Sequence, residues 1–434
     1  MLWKIWTALL FDMEKIASKA LIEEITKLVR ARDLKSVKGV GDTWGLQSIA
    51  SKSLNNSLEI AANQLLSRGF SKYTTDANAQ VLHHAALEKF ESVDREVDSS
   101  MLRGPILNRL KSVIGAIIGP FPGWAEVFPY CNHGPGSTWS HPYSARAALY
   151  KWAKLPYDMH PRTRTVFLSN LTEWPMWSQA IVAQYSDFAC GAGATPWQPA
   201  EMLEYVTNEV RANRITSVPK DCSKRRTIAK EPVYNMFLQL GLHSLLAERL
   251  ERKTGISIRS TTRAKQLAIR GSLDESWLSP ATIDLSEASD RLSHDLVMAV
   301  FPSQWALALD TIRSEFSELQ TKSIQLKKYA TMGNGTTFII QTIVYYAMSY
   351  LAQTDKDRFY PELTYVFGDD ISLPRIAWPR LRTLLEGAGL KVNVDKSFVA
   401  GPVRESCGVD IYRGDNIRPV FYRKDYDGDL DGFL

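Results

Sequence analysis

Cysteine is scarce and scattered in this chain of 434 residues. The four (Cys131, Cys190, Cys222, Cys407) never form a CxxC pair. That excludes a zinc ribbon readable from spacing and argues against a secreted disulfide scaffold. Long apolar runs are missing too. The opening MLWKIWTALLF is interrupted by Lys4 and followed by Asp12 without a small-residue cleavage site, so it does not read as a signal peptide. The run TFIIQTIVYYAMSYLA, from Thr337 to Ala352, is short for a bilayer crossing and carries Gln341. It is expected to be a buried helix of a soluble, cytoplasmic protein. Internal repeats and low-complexity tracts are absent. No sign of charge dominates: 52 Lys+Arg against 47 Asp+Glu leave +5, which permits a nucleic-acid partner without demanding one. What is present is a globular composition, 45% hydrophobic and 23% charged. At about 150 residues per domain it suffices for roughly two to four lobes, each able to bury a core.

Residues 1 to about 98 show apolar positions at helical spacing (Ile16, Ala20, Ile22, Ile25, Leu28), with breaks near Lys38-Gly39-Val40-Gly41 and Gly69. From Gly104 to Pro156, Gly-Pro pairs and His133-Gly134-Pro135-Gly136 predict a loop-rich segment. Twelve Trp are more than usual; Trp152, Trp174, Trp177 and Trp197 are spaced irregularly, as packing residues rather than base-stacking platforms. Beyond Ile283, short strands alternate with helices. ATIDLS is one strand, Leu363–Phe367 and Ile371–Leu373 flank Gly368-Asp369-Asp370 as a β-hairpin, and Pro379–Gly387 is a helix. The pattern predicts an α+β architecture, a sheet packed by helices.

Carboxylates at strand ends carry the chemistry. Asp284 closes one strand and Asp369 and Asp370 occupy a tight turn. If the hairpin lies beside the first strand, three acids converge, a cost that a cation relieves. Oxygen-only ligands favour Mg²⁺ or Mn²⁺, and two such ions about 3.5–4 Å apart suit in-line attack at phosphorus. Alternatively Gly368-Asp369-Asp370 is only a hydrophilic turn. Between Arg211 and Lys230 stand seven basic residues (Arg211, Arg214, Lys220, Lys224, Arg225, Arg226, Lys230) and one acid, Asp221. This is either a solvated face or a phosphate-binding strip.

The order TIDLSEASDRLS, MGNGTTF, VFGDDISLP, VDKSF and GPVRESCG, preceded by HGPGST and VPKDCSKRRTIAKEP, resembles the RNA-directed RNA polymerases (replicase β subunits) of leviviruses, the positive-strand RNA phages. The likeness runs from about residue 131 to about 423. It implies a right-hand polymerase: an N-terminal mostly helical region over 1–130, helical fingers with the basic motif over 131–280, a palm of antiparallel sheet and helices over 281–412, and a short tail over 413–434. The implied activity is replication of a single-stranded RNA phage genome by two-metal-ion nucleotidyl transfer.

By resemblance, Asp284, Asp369, Asp370 and the Leu285 carbonyl hold two Mg²⁺ ions, with Mn²⁺ able to substitute. Lys220, Arg225 and Arg226 hold the incoming triphosphate, without distinguishing which arginine points inward, and Ile228 stacks on the templating base. Asp290, by itself a helix-capping acid, pairs with Asn334 to read the ribose 2′-hydroxyl, and the glycines flanking Asn334 let backbone approach template or nucleotide. Lys396 is either a surface lysine or the general acid to pyrophosphate. Glu405-Ser406-Cys407-Gly408 matches the segment supporting the primer strand, with Cys407 a packing residue. His83, His84 and His294 read as structural or surface groups. Implied partners are RNA template and nascent RNA, nucleoside triphosphates, host elongation factors Tu and Ts and ribosomal protein S1, with no membrane, in the cytoplasm of an infected bacterium.

Two departures stand out. The family continues into a thumb-like region well past the Glu405-Ser406-Cys407-Gly408 segment, whereas this sequence stops at Leu434. Either the chain is truncated or it is a divergent member with the thumb reduced or absent. Phe367 also stands where Tyr is commoner. The rival functions are a reverse transcriptase-like polymerase, disfavoured by Gly368, Asp290 and Asn334, and a catalytically inactive RNA-binding palm protein, disfavoured by the three acids.

Overall fold

The computed structural model describes residues 2–421 apart from 14–16, 32–35, 37–39, 41–56, 70–71, 73–77, 98–101, 103, 143, 145, 175, 177, 180, 182–204, 222, 321 and 355–357. Cys190, Cys222, Trp177, Trp197, most of the break at 38–41 and the tail from 422 lie outside the described residues.

The N-terminal region is helical as its periodicity predicts: α1 (Leu2–Met13), α2 (Lys19–Ala31), α3 (Ser57–Arg68) and α4 (Ala79–Glu96). The buried stripe of α2 is Leu21, Ile25 and Val29, one residue off part of the expected set, and Ala20 is exposed. These side chains close a small core of their own with Trp6 and Leu66. The segment after Gly104 is less irregular than expected, for α5 (Pro105–Ile118) runs through its first part. Pro105 starts the helix, where its missing N–H costs nothing, and Leu110, Ile114 and Ile117 form a buried face the turn signals had hidden. From 119 to 142 the chain is mostly irregular, broken by a short helix (Trp124–Val127) and a 3-10 turn (Phe128–Tyr130).

The basic run folds as a hairpin rather than a helix: β1 (Ala212–Asp221) pairs antiparallel with β2 (Lys224–Lys230). One face packs Ile215 and Ala229 on Leu87 and Phe90 of α4. Helix α6 (Val233–Thr254) follows. Strand β3 (Pro280–Ile283) and the short β4 (Leu285–Ser286) lead into two brief helices; β5 (Phe316–Leu319) and β6 (Lys322–Gln325) then extend the basic hairpin into a four-stranded sheet of order β2-β1-β5-β6.

The run expected as a buried helix is one. In α7 (Thr337–Thr354), Ile339, Ile340, Ile343, Val344 and Met348 are all fully buried. Strands β7 (Tyr365–Phe367) and β8 (Asp370–Pro374) form the expected hairpin, and β8 also pairs with β3, giving the order β3-β8-β7. Helix α8 (Trp378–Gly387) is followed by β9 (Lys391–Val392), paired to β4, and by the hairpin β10 (Val403–Ser406) with β11 (Val409–Tyr412). One continuous core joins α5, α6, α7, α8 and the β3-β8-β7 sheet. Trp152 and Trp174 pack against Phe237 in it, as packing residues should. No helix among the described residues is long and apolar enough to cross a membrane.

Candidate active site

The register of the central sheet decides where the acids fall. Ile283 faces Ile371 across the antiparallel β3–β8 pair, so Asp284, one residue on, arrives beside Asp370 at the same sheet end. Asp369 lies in the turn between β7 and β8. Gly368 makes that turn possible: its φ is +65°, and a Cβ there would stand 2.4 Å from the Phe338 ring. Its N–H donates to Thr342 Oγ1 at 3.0 Å, and Phe367 meets Phe338 edge-on, so α7 holds the turn from below.

Asp284 is fixed from a second side. The Asn393 side chain donates to its Oδ2 at 2.7 Å and the Asn393 N–H to its carbonyl at 2.9 Å, while its own N–H donates to Ser397 Oγ. Leu285 is buried and paired with Val392. Burial pushes Asp284 up to about 7; Asp369 and Asp370 repel it further, against Lys396 and the Asn393 amide. Burial, then Asp369, carries Asp370 up to about 6, opposed by the Cys407 N–H and thiol. That thiol lies 3.7 Å from Asp370 Oδ2, and burial raises it to about 12, so it stays protonated and is no nucleophile. The three acids thus hold more negative charge than their surroundings neutralise, in an all-oxygen set that fits a hard divalent cation. Among the described residues, however, no group of three or more His, Cys, Asp or Glu side chains is placed to hold a metal ion as it stands.

Lys396 is close by, its ammonium 3.0 Å from Glu405 Oε1. Burial would lower its pKa, but Glu405 and Asp284 outweigh that and raise it. The basic hairpin separates its two arginines. Arg225 is pinned, Nε donating to Ser217 Oγ at 2.7 Å and Nη2 to the Ser217 carbonyl at 2.8 Å, with His83 on the same hydroxyl. Arg226 is exposed on the opposite face with Lys220. Desolvation, then repulsion from Arg226 and Lys396, lowers the pKa of Lys220, so both cations lie near it. Ile228 lies on the Arg226 face.

Asp290 and Asn334 each have other partners. Asp290 Oδ1 receives the ammonium of Lys328 at 2.9 Å, a lysine with no exposed side-chain surface that also approaches Asp94. Asn334 Oδ1 accepts from Thr336 N and Oγ1. The glycines around it lie close against the protein itself, a reason for glycine that is independent of template or nucleotide. A Cβ on Gly333 (φ +111°) would meet the Ala229 carbonyl at 2.3 Å, and one on Gly335 would meet Gln239 Cβ at 3.0 Å. The loop is wedged between β2 and α6. His294 bonds Asp310 at 3.0 Å, a structural contact as expected.

Sequence reasoning missed Asn393, Lys328 and the buried Glu231. Asn393 had a signal, three residues before Lys396 and just past strand β9, where it meets Asp284. The other two carry none that separates them from surface charge.

Comparison with known proteins identifies the family. The family model for the RNA replicase, beta-chain, matches residues 49–432. The RNA-directed RNA polymerase beta chain of Escherichia phage MS2 is 30% identical over 319 residues, 73% of this chain and 54% of that one. The RNA-directed RNA polymerase subunit beta of Escherichia virus Qbeta is 37% identical over 212 residues, 49% of this chain and 35% of that one. The chain therefore spans about half the length, or less, of these curated relatives. Among solved structures, the BmCPV RNA-dependent RNA polymerase at elongation state aligns with a TM-score of 0.41 at 9% identity over 74% of this chain and 29% of that one, too loosely to argue from. With the family model covering most of its length and the three acids in place, the chain belongs to the RNA replicase beta-chain family of the RNA phages.

Proposed function

We propose that the chain carries the catalytic centre of an RNA-directed RNA polymerase that replicates a single-stranded RNA phage genome by two-metal-ion nucleotidyl transfer. One observation carries this: strand pairing brings Asp284 beside the Asp369–Asp370 turn, where burial first, and repulsion between the acids after it, raises two of the three carboxyls. Asp284, Asp369 and Asp370, with the Leu285 carbonyl, would hold the ions. Mg²⁺ or Mn²⁺ bound there supplies a lowered pKa for the primer 3′-hydroxyl and neutralises triphosphate charge. Asn393 keeps Asp284 aimed. Arg226 and Lys220 face the palm and take the phosphates, whereas Arg225, held by Ser217, shapes the hairpin. Lys396, its ammonium held charged by Glu405 and Asp284, is placed to give a proton to departing pyrophosphate. Asp290 and Asn334 read the ribose, Asp290 with one oxygen held by Lys328. Residues 131–280 act as fingers and 281–412 as palm, on RNA template, nascent RNA and nucleoside triphosphates in the bacterial cytoplasm, with elongation factors Tu and Ts and ribosomal protein S1 as host partners.

The test is incorporation of labelled ribonucleotides on an RNA template by the purified chain, with and without a bacterial extract. Mg²⁺- or Mn²⁺-dependent product is expected, together with a cation-dependent rise in melting temperature. Asp369→Ala and Asp284→Ala should lose both while still binding RNA. Extension by either variant refutes the assignment, and a product made only from deoxynucleotides would make the chain a reverse transcriptase.

A further inference from the structure

Glu231 ends the basic hairpin, one residue past β2, and is 1% exposed. Among the described residues no lysine or arginine pairs with it. Its carboxylate is satisfied by neutral donors instead: Ser314 Oγ at 2.7 Å, Asn213 Nδ2 at 3.0 Å and Gln239 Nε2 at 3.3 Å. An anion buried without a cation is costly, and burial raises this one's pKa against those hydrogen bonds. Such a group calls for an account beyond packing.

Its surroundings lead to the Gly333-Asn334-Gly335 loop. Gln239, one of the donors, accepts from the Gly335 N–H through its Oε1 at 2.9 Å. The Asn334 side-chain amide has its oxygen fixed by the two Thr336 donors. Its nitrogen is buried and has no partner at hydrogen-bonding geometry, yet lies near enough to Glu231 to help hold that carboxyl's pKa down. The two sides of the amide therefore see opposite environments, donors at the oxygen and an anion at the nitrogen. Exchanging them would turn a carbonyl oxygen onto a carboxylate.

We propose that Glu231 is a positioning residue for sugar recognition: the buried carboxylate fixes which way the Asn334 amide points and, through Gln239, where the Gly335 backbone stands. This rests on Asn334 reading the ribose. It predicts that ribose preference depends on a residue that never touches nucleotide.

The test needs no turnover. Binding of GTP and dGTP to the full chain is measured calorimetrically with Ca²⁺ in place of Mg²⁺, and the ratio of the two dissociation constants is the readout. Wild type should prefer GTP. Glu231→Gln puts a donor where the anion stood, and should lower the ratio by about tenfold, the order expected when one buried hydrogen-bonding group loses its orientation. Combined with Asn334→Ala it should do no further harm, because both act through one amide. A loss of packing alone would weaken GTP and dGTP alike and leave the ratio standing. If Asn334→Ala changes the ratio while a folded Glu231→Gln leaves it at the wild-type value, the positioning role is overturned and the ribose reading survives. If Asn334→Ala leaves it unchanged, the ribose reading fails and takes this inference with it. Should Glu231→Gln not fold, Gln239→Met cuts the link to Gly335 at nearly constant volume and must show the same fall; an unchanged ratio there overturns the proposal.

Discussion

Arg225 and Arg226 are neighbours in sequence with identical chemistry, and strand alternation sends them to opposite faces. Arg225 spends its guanidinium on Ser217, beside His83; Arg226, on the face of Lys220 and Ile228, has no such tether among the described residues. Arg226→Gln should raise the apparent KM for all four ribonucleotides alike, with the fold intact. Arg225→Gln should instead lower stability by about 1 kcal/mol, the usual net worth of a lost hydrogen bond. Steady-state kinetics beside thermal unfolding checks both, and a base-selective KM change in Arg226→Gln would count against a phosphate contact. The pair also marks the limit of the sequence at this scale. Seven basic residues left a solvated face and a phosphate strip both open, and which of two adjacent arginines would face a phosphate depends on register. Lys328 and Glu231 were illegible for a related reason: a buried charge and a surface charge are the same letter.

The turn of the β7–β8 hairpin depends on a glycine for two independent reasons, its positive φ and the Phe338 ring beneath it. Gly368→Ala should therefore cost about 1–3 kcal/mol of stability, from left-handed strain and displacement of the ring. Because the neighbouring acids move with the turn, nucleotide incorporation should fall further than the loss of folded protein accounts for. Comparing specific activity with the folded fraction decides it; a fully active Gly368→Ala would mean the turn tolerates a Cβ. Elements whose patterns are local were readable in advance: α7 from its apolar run, the hairpin from β-branched residues around Gly-Asp-Asp, α8 from its glycine stop. Helix α5 was not, because Gly104 and the Gly-Pro pairs after it read as loop while the helix lay between them.

Across the whole molecule, distant segments are tied by ion clusters that no motif announced. Asp310 receives Arg162 at 2.6 Å, Arg313 at 2.7 Å and His294 at 3.0 Å. Burial would raise its pKa, but the hydrogen bonds from His294 and Arg313 and the charges of Arg313 and Arg162 outweigh it and hold the carboxyl well below the ordinary range. A carboxyl depressed in the folded state contributes stability above its unfolded value, near 4, and loses it as pH falls toward the folded one. Urea unfolding between pH 5 and pH 3 should therefore show a steeper loss of stability in wild type than in Asp310→Asn. The variant should also be weaker at neutral pH by about 1–3 kcal/mol. Equal slopes would place the acid sensitivity elsewhere.

The continuous core from α5 to α8 has a mechanical consequence. Residues from Leu110 through Leu246 and Ile343 to Leu385 share one packed interior, and interiors at crystal-like density do not part along a seam without unfolding. The acid-bearing sheet is part of this block, whereas the basic hairpin packs Ile215 and Ala229 in a separate cluster with Leu87 and Phe90 of α4, so it is the sheet that is locked to the frame. Under the proposed function, admission of a nucleotide then falls to the basic hairpin, single loops and side-chain rotations around a stationary acid-bearing frame. Gentle protease treatment should nick exposed turns without ever releasing a separately folded half.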